Sequence, residues 1–385
     1  MTYPDFSITD HLPKTIRARH IDNGNGLNMH FLEAGADHPD RPCLLLLHGF
    51  PELAFSWRYI MPALAEAGYY VIAPDQRGYG WTSGPKVTYE SDITASKLLN
   101  LVQDQLGLLA ALGRDHVAAV IGHDFGAPVA ANAAMIRPDI FQSAVLMSAP
   151  FGGPPALANS QKQSPGLAGA GANIHHQMAN LARPRKHYQW YYSTPEADAD
   201  MCAAPQGLHA FLRAYYHVKS ADWAENKPFQ LAGWQADELA KMPTYYIMDH
   251  GENMAQTVAP HMPPAPHIAA CKWLSEADLT VYSRAYAATT FQGGLQWYRC
   301  ATNPQLSAEM RVFAGRTLDV PSLFIAGQSD WGVFQKPGDF ERMQDTICPD
   351  MRGCHLIDGA GHWVQQEQPT AVTHHLLHFL NGLNP

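Results

Sequence analysis

The sequence predicts an α/β fold: a mostly parallel central sheet flanked by helices, interrupted late in the chain by a helical insertion. Three observations predict it. Short continuous apolar runs at 43–47, 69–73, 117–121 and 141–147 alternate with helical patterns, as strands buried on both faces of a parallel sheet do. From Ala149 to Asn173 the chain turns to Gly, Pro, Ser and Ala, and the alternation stops. Strand signals then stay scarce until Ser322–Ala326, where the alternation resumes. On this pattern the chain divides into residues 1–150, the first part of the sheet unit; 151–305, a helical cap with its linkers; and 306–385, the second part of the sheet unit.

Each element has its own signal. Residues from Ile16 to Ile21 and from Leu27 to Leu32 flank Asn23-Gly24-Asn25-Gly26, a hairpin turn sequence. Cys43–Leu47 and Tyr69–Ala73 are buried strands, the second running into Pro74-Asp75-Gln76-Arg77-Gly78-Tyr79-Gly80. Leu98, Val102, Leu106 and Leu109 recur at helical spacing, and Gly113 stands where a C-terminal cap belongs. Val117–Ile121 is the next strand. Gly126–Ile136, rich in alanine, is a helix able to lie close on the sheet, and Arg137-Pro138 stops it. Phe141–Met147 follows as a strand. The inserted stretch from Ile174 to Ala301 is helical in pattern and crowded with Tyr and Trp. Ser322–Ala326 and His355–Ile357 read as strands, and Ala371–Leu380 as the closing helix, capped by Gly382.

Composition narrows the function classes. Charged residues make up 16% and hydrophobic ones 46%, a balance that suits a large buried core and not disorder. A net charge of −9 offers no attractive field to nucleic acid or to an anionic membrane. No stretch approaches the ~18 apolar residues of a membrane span, and the N-terminal residues lack a signal-peptide pattern. Six cysteines without a CxxC pair read as reduced thiols of a cytoplasmic protein. Self-association is left open.

The chemistry is carried by three strand ends, where open α/β sheets bind their ligands. Gly122-His123-Asp124-Phe125-Gly126 follows an apolar run directly. It has the form of a nucleophile elbow, in which small flanking residues let the backbone reverse and lift one side chain above the sheet. The raised residue is an aspartate. A carboxylate attacks alkyl carbon and becomes an ester itself, so the expected partner is a small neutral electrophile. Gly327-Gln328-Ser329-Asp330 and Asp358-Gly359-Ala360-Gly361-His362-Trp363 follow the last two strands. The order Asp124, Asp330, His362 is that of nucleophile, acid and base. Asp330 is expected to orient His362, with Asp358 as its competitor. The loop Ser148-Ala149-Pro150-Phe151-Gly152 offers no carboxylate for that role. After the 43–47 strand, His48-Gly49-Phe50-Pro51 places the Phe50 N–H where, with that of Phe125, it can form an oxyanion hole.

These segments together resemble the soluble epoxide hydrolases of the α/β-hydrolase superfamily, in His48-Gly49-Phe50-Pro51-Glu52, Asp75–Gly80, the Asp124 elbow and Gly361-His362-Trp363. The resemblance extends into the insertion. His187-Tyr188-Gln189-Trp190-Tyr191 and Gly293-Gly294-Leu295-Gln296-Trp297-Tyr298-Arg299 are similar to the family's two tyrosine-bearing segments. It implies an α/β-hydrolase fold with an inserted cap and an enzyme that opens epoxides to diols without a cofactor or metal. Tyr188 and Tyr298 are then the phenols that donate to the epoxide oxygen. Trp190, Tyr191, Trp297 and Pro51, beside these motifs, are expected to bind substrate. The chain departs from the pattern between Met242 and Leu274, which is longer and richer in Pro and His.

The same residues bear on the rival readings. A haloalkane dehalogenase shares the Asp–His–Asp set but places a halide-binding Trp beside the nucleophile, and a haloacid dehalogenase an Arg; here that residue is Phe125. A non-catalytic binding scaffold has no need of all three groups. A serine esterase is excluded at the elbow. His123 is expected to be a hydrogen-bonded core histidine, and Asp75 with Arg77 a loop-holding ion pair. The adjacent pairs His175-His176 and His374-His375 lack metal-ligand spacing, and Gly166–Gly171 reads as a flexible linker.

Overall fold

The computed structural model describes residues 7–38, 40–157 and 172–383, so Gly166–Gly171 lies outside the described residues. Its strands are β1 (Ile16–Asp22), β2 (Asn28–Ala34), β3 (Cys43–Leu47), β4 (Tyr70–Pro74), β5 (Ala119–His123), β6 (Ala144–Met147), β7 (Arg185–His187), β8 (Ile247–Asp249), β9 (Ser322–Gly327) and β10 (Met351–Ile357). One sheet has the order β1-β2-β4-β3-β5-β6-β9-β10. Its first two pairings are antiparallel and the rest parallel. The continuous apolar runs are the strands β3 to β6 and β9, buried along their whole length.

The hairpin forms in register from Ile16 opposite Ala34 to Asp22 opposite Asn28. Its turn bends through Gly24 and Gly26, with φ of 67° and 77°, values that glycine reaches without a Cβ penalty. β10 begins at Met351, earlier than the expected His355. It is an edge strand whose outer residues are half exposed, so no apolar run marks its start. The helix Leu98–Ala111 buries Leu101, Val102, Leu108 and Leu109, while Leu98 and Leu106 stay only half-buried. The stripe is turned because Asp104 is drawn inward by Arg77, at 2.7 and 2.6 Å. The expected Asp75–Arg77 pair is therefore corrected: Arg77 pairs with Asp104, and Asp75 with His30 at 2.8 Å.

Gly126–Ile136 is the helix expected there, and its alanines are buried against the sheet. After β6 the chain leaves the sheet and returns at β9, which lies beside β6. The segment between them holds helices that include Leu208–Lys219, Glu276–Thr289 and Gln292–Thr302, together with the antiparallel pair β7–β8. The closing helix runs from Pro369 to Asn381 with Gly382 as its C-cap. Among the described residues no helix is long and apolar enough to cross a membrane.

Candidate active site

β5 ends in the elbow. Asp124 takes φ of +49°, a backbone region that side-chain-bearing residues seldom adopt and that holds the carboxylate above the turn. The reversal depends on absent side chains. A Cβ on Gly122 would strike the Gly126 carbonyl, and one on Gly126 would strike the Leu47 carbonyl. Asp124 Oδ1 accepts the Phe50 N–H at 2.9 Å, from the loop after β3. Among the described residues the Phe125 N–H has no hydrogen bond to that carboxylate. Phe125 opens the helix Gly126–Ile136, and its ring lies edge-on to Trp297 and Tyr298.

His362, from the loop after β10, brings Nε2 to 3.2 Å from Asp124 Oδ2. The contact is close but not aligned as a hydrogen bond, so the ion pair attracts without locking the ring. On the far side, Nδ1 meets Asp330 at 3.1 and 3.2 Å, from the loop after β9. Asp330 is itself fixed by the Gly332 N–H at 2.7 Å. Asp358, the competitor, is exposed and, among the described residues, accepts only the adjacent Gly359 N–H.

Charge in this buried triplet is settled by mutual attraction. Burial pushes the Asp124 carboxyl up, but the His362 imidazolium overrides it and holds the group well below the usual carboxylate range. Burial also raises Asp330, and His362 again outweighs it to bring that carboxyl down. For His362 burial disfavours the charged form, yet Asp330 and Asp124 outweigh both burial and the Lys219 charge and raise it to about 9. At neutral pH the resting site thus holds an imidazolium between two carboxylates.

A cavity of about 770 Å³ opens on Asp124. Tyr188 and Tyr298, both from the inserted segment, line it with Phe125 and Trp297. Their rings stand 6.1 Å apart. The Tyr188 hydroxyl donates to Gln335 Oε1 at 3.2 Å and accepts from Gln189 Nε2 at 2.9 Å. Burial, then the Asp124 charge, push both phenols well above their ordinary range, so both carry their protons. Tyr188 is held by β7–β8: its N–H donates to the Tyr246 carbonyl at 2.9 Å. The unusual stretch 242–274 supplies β8 and so helps to place this phenol.

Three expectations for substrate contact are corrected. Trp190 packs edge-on against His175 and His187, and the Tyr191 hydroxyl is bound to Asp200 at 2.9 Å. On a helix, successive residues turn ~100° apart, and here Tyr188 and Gln189 line the cavity while Trp190 and Tyr191 do not. Pro51 does not line the cavity either, and its carbonyl accepts the Tyr216 hydroxyl at 3.0 Å. Trp297 does line it, but its indole N–H is taken by the Arg77 carbonyl at 3.1 Å.

Several residues support the site, and of these Gln365, Gln366 and Glu367 escaped the sequence reading. His123 was expected in the core and is buried there, with Nδ1 2.5 Å from Glu52 and Nε2 2.7 Å from the His362 carbonyl. Glu52 also receives Gln365 and Gln366, which makes a buried polar network beneath the site. Glu367 accepts the N–H groups of Gly361, Trp363 and Ala221 at 2.9, 2.9 and 2.8 Å. One carboxylate therefore clamps both sides of the His362 loop to the inserted segment. Burial pushes Glu367 up to about 7, against those three donors. The one available signal was the placement of Glu52 at the end of the His48–Glu52 segment; Glu367 lies beyond Gly361-His362-Trp363 and carried none.

Elbow, imidazole and late acid on this sheet define an α/β-hydrolase whose nucleophile position is held by a carboxylate. The comparisons agree. Residues 42–188 match the model of the alpha/beta hydrolase fold. Epoxide hydrolase A of Mycobacterium tuberculosis is 34% identical over 93% of this chain and 96% of its own length. Epoxide hydrolase B of the same organism is 32% identical over 94% and 98%. Among solved structures, an epoxide hydrolase from an endophytic Streptomyces superposes with a TM-score of 0.75, at 29% identity over 96% of this chain and 97% of that one. Epoxide hydrolase A of Mycobacterium thermoresistibile does so with a TM-score of 0.72, at 30% identity over 96% and 99%. The chain belongs to the epoxide hydrolase family of the α/β-hydrolase superfamily.

Proposed function

We propose that the protein hydrolyses epoxides to vicinal diols through an ester on Asp124, with Asp124, His362 and Asp330 as catalytic triad and Tyr188 and Tyr298 as proton donors. The observation that carries this reading is the meeting, in one cavity, of an ionised carboxylate with two protonated phenols. An epoxide needs both: a nucleophile on carbon and a donor for the oxygen that becomes a basic alkoxide. With Oδ1 tied to the Phe50 N–H, Oδ2 is the oxygen that attacks. As its bond to carbon forms, the C–O bond of the epoxide breaks and the oxygen takes a phenol proton.

Ester formation then prepares the second step. It removes one of the two carboxylates that hold a proton on His362, so the imidazolium gives up that proton to restore the phenol. Neutral His362 takes a proton from water, and the hydroxide adds to the ester carbonyl. Oδ1 becomes the oxyanion, already placed at the Phe50 N–H. Collapse releases the diol and returns Asp124 and the imidazolium. Asp330 holds the ring in the tautomer that this base needs.

The residues of 151–305 act as a cap in this scheme, since they supply both phenols. The ligand implied is a small neutral electrophile. Cytoplasmic location is part of the same reading, supported by six free cysteines. A halide, the rival leaving group, departs as a weak base and needs N–H donors in place of a proton. The Trp297 N–H is committed to Arg77, which favours the epoxide. Tyr188→Phe and Tyr298→Phe are each expected to slow alkylation by an aryl epoxide, each loss raising the barrier by about 3 kcal/mol by analogy with oxyanion-hole donors. The double variant is expected to be slower than either. Stopped-flow fluorescence measures these rates; a folded double variant that alkylates at the parental rate refutes the donor role.

A further inference from the structure

Lys219 closes the helix Leu208–Lys219 and is only 2% exposed. Its carbonyl accepts the His362 N–H at 2.8 Å, so its position is tied to that of the base. Among the described residues its ammonium has neither a carboxylate partner nor a hydrogen-bond acceptor. Aromatic rings surround it instead. The ammonium lies 4.7 Å from the Tyr246 centroid, 5.3 Å from Tyr215, 5.7 Å from Tyr188, and 5.9 Å from both Tyr245 and Trp363. A buried cation without a counter-ion is costly, and an aromatic cage offsets only part of that cost. Such a charge is useful where negative charge appears during the reaction.

That place is the Tyr188 ring. Alkylation turns the Asp124 anion into a neutral ester and, when Tyr188 gives its proton to the epoxide oxygen, leaves the negative charge on the phenolate. Apart from the Gln189 Nε2 donor at 2.9 Å, which favours the phenolate, the groups facing Tyr188 do not welcome an anion. Asp330 repels it, and Asp124, by then an ester, offers no charge to it. His187, stacked on the ring at 5.2 Å, is kept neutral because burial and the His175 and Lys336 charges push it down to about 3. Tyr192, Tyr246 and Tyr298 pack around it as neutral rings. Among the described residues Lys219 is the one cation over that ring. Tyr188 lines the cavity and Lys219 does not, so the ammonium stands behind the phenol and leaves the substrate's path clear.

We propose that Lys219 is a positioning residue for ring opening: its caged ammonium stabilises the Tyr188 phenolate that forms as the epoxide oxygen is protonated. The proposal rests on the epoxide hydrolase reading. A second consequence concerns His362, which is faced by Asp124, Asp330, His123 and Lys219. The Lys219 charge opposes protonation of the imidazole and so favours the neutral base that ester hydrolysis requires.

The test is a double-mutant cycle on the alkylation rate, measured by stopped-flow fluorescence with excess aryl epoxide. Absence of alkylation by the parent overturns the epoxide hydrolase reading itself. With an active parent, Lys219→Met is expected to alkylate about tenfold more slowly, the scale of a desolvated cation–π contact. In a Tyr188→Phe background the same change is expected to cost nothing, because no phenolate is left to stabilise. The acid limb of ester hydrolysis in Lys219→Met is expected to move to higher pH, which a merely structural role would not produce. Lys219→Ala supplies an independent arm: added propylammonium restores alkylation and 1-propanol does not. Parental alkylation by Lys219→Met, an equal penalty with and without the Tyr188 hydroxyl, or failure of the amine to restore Lys219→Ala overturns the proposal.

Discussion

Asp124→Ala is expected to abolish epoxide turnover, with a loss of at least ~10⁴-fold, and to form no covalent adduct. The size follows from what the carboxylate does. Alanine removes the only atom that bonds to carbon, and no neighbour can replace it: Asp330 lies on the far side of the imidazole, and Glu52 is committed to His123. The substitution also removes one of the two carboxylates that raise His362, so the remaining imidazole loses its proton more readily. A neutral imidazole could then activate water for direct attack on the epoxide. Rates measured with product analysis bound that route, and turnover within tenfold of the parent contradicts the nucleophile assignment.

His362→Ala is expected to separate the two half-reactions. Alkylation needs the anion of Asp124 and a phenol proton, both of which survive in the variant. Hydrolysis of the ester needs a base, and general-base help of this kind contributes about 10²–10⁴ in rate. Incubation with substrate is therefore expected to add one substrate mass to the peptide that contains Asp124, and the adduct is expected to persist. Loss of the imidazolium also lets the Asp124 carboxyl rise, because His362 is what overrides burial there. Alkylation by the variant is thus expected to weaken as the pH falls, since only the ionised carboxylate attacks. Peptide mass spectrometry after acid quench measures both effects. Full turnover without His362 contradicts its role as base.

Why the main parts of this site were legible, and others not, follows from how each is built. The elbow is a local device: a buried strand, two small residues and a raised side chain within five positions. The Gly361–Trp363 loop is equally local. Asp330 was legible because sheet topology brings the ends of β9 and β10 together, and these strands pair in parallel. Tyr188 and Tyr298 carried no such signal of their own among so many aromatics; only their flanking sequences set them apart.

What stayed hidden depends on contacts between distant segments. The placement of Arg77 against Asp104, and of Asp75 against His30, joins residues that sequence proximity does not connect. Likewise the Glu367 clamp joins the His362 loop to Ala221, and Gln335 reaches Tyr188 from the far part of the chain. Trp190 and Tyr191 failed for a related reason: belonging to a motif fixes a residue's position on the helix, not the face it presents. Lys219 was invisible because its surroundings are rings drawn from the inserted helices, β8's flank and the His362 loop.

A single turnover in heavy-oxygen water tests the central claim, that the reaction passes through an ester on Asp124. Enzyme in excess over epoxide is quenched after one turnover, and both the diol and the Asp124 peptide are analysed by mass. Attack by water on the ester carbonyl places the heavy oxygen in the Asp124 carboxyl, while the diol carries away an oxygen that belonged to the protein. The account predicts labelled Asp124 and unlabelled diol. Labelled diol with an unlabelled Asp124 peptide means that water attacks the epoxide directly, and contradicts it.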